Sequence, residues 1–187
     1  MIHSTVDPEL CRQLSVQAQG YGVDVLDAGV SGGGEAALNG QLSVFVGGES
    51  AAFERVQPVL ASYGRSVALL GPCGRGTQGK LLNNLVSIAN YGLAAAILEP
   101  GERLDFDREQ LRQALLAGSA EGFAMRAIPG ILRPELAPWL HTILGKDVEH
   151  AKTLFSADEP ALAALLPAAE SMIERLRRAL TAQAAAP

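Results

Sequence analysis

The spacing of hydrophobic positions changes character several times along this 187-residue chain. Leu10, Leu14 and Ala18 recur at helical intervals behind Asp7, Pro8 and Glu9, residue types that suit a helix N-terminus, with Ser4 or Thr5 available as the cap. Gly20 and Gly22 end that helix. Apolar residues then fall on alternate positions from Val23 to Val30 and again from Leu42 to Gly48, which predicts two strands joined through the glycine-rich loop SGGGEAALNGQ. Glu49 to Ser62 returns to helical spacing with Phe53, Val56, Val59 and Leu60 facing inward, and Ser66 to Gly71 reads as a third strand.

Gly71, Pro72, Gly74 and Gly76 force a bend, after which only Gly92 interrupts helix-forming residues between Thr77 and Glu99. A helix of that length reaches roughly 35 Å and suits a spine joining two domains. Lys80 and Asn84 share one face of it, and Asn83 and Ser87 lie one step round. Their spacing admits two readings, a solvated first turn or an acid–base lysine beside an orienting amide. Beyond Pro100 the pattern is helical throughout: Asp107 to Ala117, Ala120 to Ile128, Pro134 to Phe155, and Glu159 to Ala179 with a stripe of Leu162, Leu165, Leu166, Met172, Ile173, Leu176 and Leu180. The closing AQAAAP is expected to fray. The fold class expected is α/β followed by all-α, with a division between residues 1–73 and 74–187.

Composition narrows the classes. A hydrophobic content of 48% with 19% charged residues is that of a soluble globular protein, and a net charge of −5 argues against nucleic-acid binding. No run of eighteen apolar residues is free of glycine, proline and charge, and MIHSTVDPEL lacks the basic-then-apolar order of a secretory leader, so the expectation is a cytoplasmic protein without a membrane span. Cys11 and Cys73 have neither zinc-site spacing nor disulfide density and are expected as free thiols. His3, His141 and His150 have no carboxylate or cysteine at ligand spacing, so no metal is expected, and no Ser-His-Asp order emerges. Ser31-Gly32-Gly33-Gly34 can be an anion nest or only a turn, and Lys146-Asp147 a surface ion pair or part of a pocket.

From Asp27 to Leu85 the sequence resembles the β-hydroxyacid dehydrogenase family, which includes 3-hydroxyisobutyrate dehydrogenase and is related to 6-phosphogluconate dehydrogenase. The family loop D-A-P-V-S-G-G corresponds to Asp27 to Gly33, with Gly29 in place of proline, and the family segment G-x-G-x-x-x-K-x-x-N-N corresponds to Gly74 to Asn84. The resemblance implies that Lys80 is the catalytic lysine and Asn84 its partner. It further implies that Ser31, Gly32 and Gly33 hold a small substrate's carboxylate, and that Lys146, in the family's K-D pair, is a second pocket lysine. STVDP resembles the S-T-x-x-P that follows a cofactor-domain strand. The implied fold is a remnant of a Rossmann-type domain followed by the family's helical domain, with the C-terminal helices packing across a homodimer around the spine helix.

The family's opening strand, G-x-G-x-x-G turn and pyrophosphate-binding helix should precede His3-Ser4-Thr5. Their absence leads to the expectation of no cofactor and no cofactor-binding residues, with SGGG no substitute because it joins two strands. On that reading Lys80 performs cofactor-independent isomerisation, decarboxylation or carbon–carbon cleavage on a small oxo- or hydroxy-acid. The alternative is an NAD- or NADP-dependent 3-hydroxyacid oxidoreductase whose cofactor domain lies on another chain, or a binding protein derived from one.

Overall fold

The computed structural model describes residues 1–156 and 158–184. It has a three-stranded sheet with helices, followed by an all-helical part, as the hydrophobic pattern predicts. The order is α1 (Pro8–Gln19), β1 (Asp27–Ser31), α2 (Gly33–Leu38), β2 (Leu42–Gly47), α3 (Ser50–Ala61), β3 (Gly64–Leu69) and α4 (Arg75–Arg103). There follow α5 (Arg108–Ala117), α6 (Phe123–Ile131), a 3-10 turn at Pro134–Leu136, α7 (Ala137–Lys152) and α8 (Pro160–Ala184). Two compact units result, Met1–Asn83 and the segment from Asn84 onward, so the division falls inside α4 and not at the glycine bend.

In the first unit the sheet order is β1-β2-β3, with β1 antiparallel to β2 and β2 parallel to β3. The parallel pair needs a crossover, and α3 supplies it. Leu26, Ala28, Leu42, Val44, Val46, Ala52 and Leu60 form the buried core, because alternate strand positions and one helical stripe converge on it. Val59, expected inward, is 53% exposed, and Ala52, about two turns earlier, is buried instead. Similarly, α1 buries Pro8 and Cys11 and leaves Leu10 and Leu14 exposed, and its cap is Asp7, whose carboxylate accepts from the Glu9 amide at 2.8 Å. Neither Ser4 nor Thr5 is needed, since Pro8 already occupies the first helical position.

The glycine-rich segment is not a plain loop. Gly32 (φ 134°) and Gly33 (φ 74°) turn the chain out of β1, and Glu35, Ala36, Ala37 and Leu38, good helix formers, continue it as the six-residue α2. SGGG thus leads from a strand into a short helix, contrary to the sequence expectation, although the strand it leaves is antiparallel to the next.

In the second unit α4 runs past Pro100 to Arg103. Proline removes only its own amide from the ladder, and the Leu104 amide still reaches the Pro100 carbonyl at 3.1 Å before Asp105 (φ 63°) ends the run. The predicted α8 stripe is on the packed side, with Leu162, Met172 and Leu176 buried, and the helix extends to Ala184; the remainder of AQAAAP lies outside the described residues. By length and composition α4 could cross a membrane, but half of its apolar window is already buried within the chain. Gly92 explains itself here: a Cβ at that position would stand 1.9 Å from the Ala168 carbonyl oxygen, so glycine lets α4 meet the backbone of α8. Alanine would favour the helix by about 1 kcal/mol yet overpack the contact by about 1–3 kcal/mol or more. Gly92→Ala should therefore lower the melting temperature, and an unchanged or raised value in a calorimetric scan would show that the two helices do not meet this closely.

Candidate functional site

The residues singled out in the first unit lie along the line where β1 meets the start of α4. On a strand, side chains two apart share a face, so Asp27, Gly29 and Ser31 point the same way. On a helix, Thr77, Lys80 and Asn83 are three apart and lie along one stripe. The two series match. Asp27 accepts from the Thr77 amide, Gly29 lies under the Lys80 stem, and the Asn83 Nδ2 donates to Ser31 Oγ at 3.2 Å.

Asp27 is fully buried. Its Oδ1 accepts from the Gly74 amide and its Oδ2 from the Thr77 amide, both at 2.6 Å. A buried carboxylate is costly unless paired, and here two orphan helix amides and the positive end of the helix dipole satisfy it. Close approach is possible because Gly76 has no side chain: a Cβ there would come within 2.5 Å of the Asp27 and Phe45 carbonyl oxygens. Gly74 (φ 96°) likewise lies against Arg12 and the Pro8 carbonyl of α1.

Gly74 to Gly79 also spell G-x-G-x-x-G between a strand and a helix, the form of a dinucleotide fingerprint. Its chemistry differs. The Gly74 and Thr77 amides that could hold a phosphate already hold Asp27, and Gly74 and Gly76 are packed against protein backbone and Arg12. The residues present therefore do not fit a pyrophosphate cradle, at this turn or at the six-residue α2.

Asp27 also governs its neighbours. Burial, then the nearby Asp27 charge, pushes the Cys73 thiol up to about 11, and burial raises that of Cys11. Both cysteines are free thiols, and Cys73 Sγ donates to the Cys11 carbonyl at 3.4 Å. Because the folded state holds the Cys73 proton more tightly than the unfolded chain, this contribution to stability is complete below the thiol's ordinary value of 9.0 and is lost as pH rises toward 11.

Of the expected carboxylate binders, Ser31 is half-buried under Asn83, while Gly32 and Gly33 are exposed beyond the end of β1. Lys80, half-buried, stands on α4 one turn before Asn84, with which the second unit begins. There the Asn84 Nδ2 donates to Asp147 Oδ2 at 2.6 Å, and Lys146 Nζ lies 3.3 Å from Asp147 Oδ1, an ion-pair distance at which no hydrogen bond to Oδ1 is formed. Asp147 is buried and Lys146 about half exposed, so the Lys146-Asp147 dipeptide is not a plain surface pair: its carboxylate anchors Asn84. No group of three or more His, Cys, Asp or Glu residues able to hold a metal occurs among the described residues. Sequence reasoning gave no role to Asp27, Gly29, Asn83 or Asp147. The available signal was the pairing of D-x-G-x-S with T-x-x-K-x-x-N, two periods that only a strand lying on a helix reconciles. Asp27→Ala would leave the Gly74 and Thr77 amides without their acceptor, at about 1–3 kcal/mol each; urea unfolding should show a loss of that order, and an unchanged midpoint would remove Asp27 from this role.

Comparison with known proteins bears on this arrangement. Residues 1–71 match the family model described as the NAD binding domain of 6-phosphogluconate dehydrogenase. The chain is 33% identical over 124 residues to 2-(hydroxymethyl)glutarate dehydrogenase of Eubacterium barkeri, covering 66% of this chain and 41% of that enzyme. It is 35% identical over 117 residues to 2-hydroxy-3-oxopropionate reductase of Escherichia coli (63% and 40%), and 35% identical over 133 residues to 3-hydroxyisobutyrate dehydrogenase of Pseudomonas aeruginosa (69% and 44%). The chain thus spans less than half the length of these relatives. Among solved structures it resembles a 3-hydroxyisobutyrate dehydrogenase of Salmonella typhimurium with a TM-score of 0.76 at 21% identity, over 97% of this chain and 64% of that one. It also resembles a protein called Psf3, solved in complex with NADP+ and 2-OPP, with a TM-score of 0.71 at 24% identity, over 84% and 56%. The expectation of no cofactor is corrected by the match of residues 1–71 to an NAD-binding-domain family, a relatedness that the missing opening fingerprint had concealed. The family-model match over residues 1–71 and the relatives named as hydroxyacid dehydrogenases support the chain's membership of the β-hydroxyacid dehydrogenase family.

Proposed function

We propose that this chain supplies the hydroxy-acid side of an NAD(P)-dependent oxidoreductase, with the pyrophosphate cradle contributed by residues outside this sequence. The substrate class is a small carboxylate oxygenated at the carbon β to its carboxyl, the feature that the names 3-hydroxyisobutyrate dehydrogenase and 2-hydroxy-3-oxopropionate reductase share. The observation that carries this reading is the juxtaposition of Lys80 with the Gly29-Val30-Ser31 end of β1, which brings an amine-bearing side chain to the strand that ends in the Ser31-Gly32-Gly33 turn. The nicotinamide, when bound, supplies hydride chemistry.

Ser31 Oγ accepts from Asn83, which leaves its own hydroxyl hydrogen to donate to a carboxylate oxygen, and the exposed Gly32 and Gly33 let that carboxylate approach the backbone. Lys80 takes the proton from the substrate hydroxyl on oxidation and returns it on reduction. The roles of Asn84 as an orienting amide and of Lys146 as a second pocket lysine are carried over from the family resemblance; within the second unit Asn84 donates to Asp147, beside Lys146. Lys80→Met keeps helix and volume but removes the nitrogen, so in the assembled oxidoreductase, with its pyrophosphate cradle supplied, substrate-dependent nicotinamide reduction should fall by about two to four orders of magnitude with folding preserved. Asn84→Ala should cost less, because it orients and transfers no proton. A Lys80→Met protein that turns over a 3-hydroxy acid as fast as its parent would remove the lysine from the chemistry.

The same reading includes a cytoplasmic homodimer. Val86, Leu93 and Ile97, which lie within about 40° of one another around α4, are each about half exposed, an apolar stripe on a helix whose other side is buried. A second copy of the chain is the occupant that suits it, since two such stripes are self-complementary about a two-fold axis. Light scattering should give twice the 19.5 kDa chain mass, and a monomer at micromolar concentration would end the proposal.

A further inference from the structure

We propose that Gly29 is a positioning residue that sets where Lys80 stands. Within β1, Gly29 is buried and paired opposite Phe45 in regular strand register, so neither a turn nor a left-handed backbone explains the glycine. The explanation is space. A Cβ built on Gly29 would lie 2.7 Å from Lys80 Cβ, 2.9 Å from Cγ and 3.7 Å from Cδ. These are the atoms nearest the helix, which cannot swing away as a lysine tip can. A single methyl group would therefore have to lift the Lys80 stem, or α4 itself, by about 1 Å to reach ordinary carbon–carbon contact.

The helix has little freedom to rise. On one side of Gly29 the Asp27 carboxylate ties down Gly74 and Thr77, and on the other Ser31 is tied to Asn83. With both flanking contacts fixed, the bare backbone at Gly29 decides the path of the lysine between them. Proline, which the family loop carries here, would place a ring where the stem now runs, so Lys80 lies closer to β1 in this chain than proline would allow. The seat of Lys80 is a matter of packing alone; its consequence for turnover rests on the function proposed above.

The chain has three lysines, Lys80, Lys146 and Lys152, which makes the seat directly readable. Reductive methylation with 13C-formaldehyde gives each a dimethylamino signal, assigned by single Lys→Arg variants. In Gly29→Ala the Lys80 signal should shift while those of Lys146 and Lys152 stay, and turnover of a 3-hydroxy acid should fall by about tenfold to a hundredfold, the effect of misplacing a catalytic group by about 1 Å. A folded Gly29→Ala protein with an unmoved Lys80 signal would overturn the proposal. A moved signal with unchanged turnover would uphold the seat and instead count against Lys80 as the proton-transfer group. Should Gly29→Ala not fold, Gly29→Ala/Lys80→Gly, which removes the obstructing stem, should fold as well as Lys80→Gly alone; failure of the double variant beside a folded Lys80→Gly would place the intolerance elsewhere and overturn the proposal.

Discussion

A single buried carboxylate organises the first unit. Asp27 is held by backbone amides at the start of a 29-residue helix, those of Gly74 and Thr77. The exchange is mutual. The helix start would otherwise leave donors unsatisfied under a packed sheet, and the buried carboxylate would otherwise lack hydrogen-bond partners. Once that contact exists, the register between β1 and α4 is fixed at one point, and the strand and helix spacings dictate the next two contacts, at Gly29 with Lys80 and at Ser31 with Asn83.

The glycines around this contact divide into two kinds. Gly32, Gly33 and Gly74 turn the chain with positive φ, whereas Gly29 and Gly76 occupy regular structure and serve only by lacking a side chain. The second kind explains how a G-x-G-x-x-G hexapeptide can start a helix and still not be a nucleotide turn. What distinguishes the two uses is the group that the helix amides already hold.

Much of the fold was legible because it rests on periodicity: the three strands, the spine helix and the α8 stripe follow from spacing alone. The errors share a cause. Val59 was placed inward because a regular stripe was extended past the surface it packs on, and α2 was read as loop because three glycines outweighed four helix formers. The family loop and lysine were legible as motif, yet the roles of Asp27, Gly29, Asn83 and Asp147 were not, since each depends on a residue about fifty or more positions away. The cofactor was misjudged for a different reason: the argument looked for one turn, and relatedness extends over the whole of residues 1–71.

That separation in sequence has a kinetic side. The hairpin of β1 and β2 closes over a short excursion through α2, but the three contacts with α4 join residues 47 to 52 positions apart. Chain-closure entropy delays contacts of that span relative to local ones. The serine loop's own turn is therefore a contact of short span, while the approach of Lys80 and Asn83 to it closes a loop of about fifty residues.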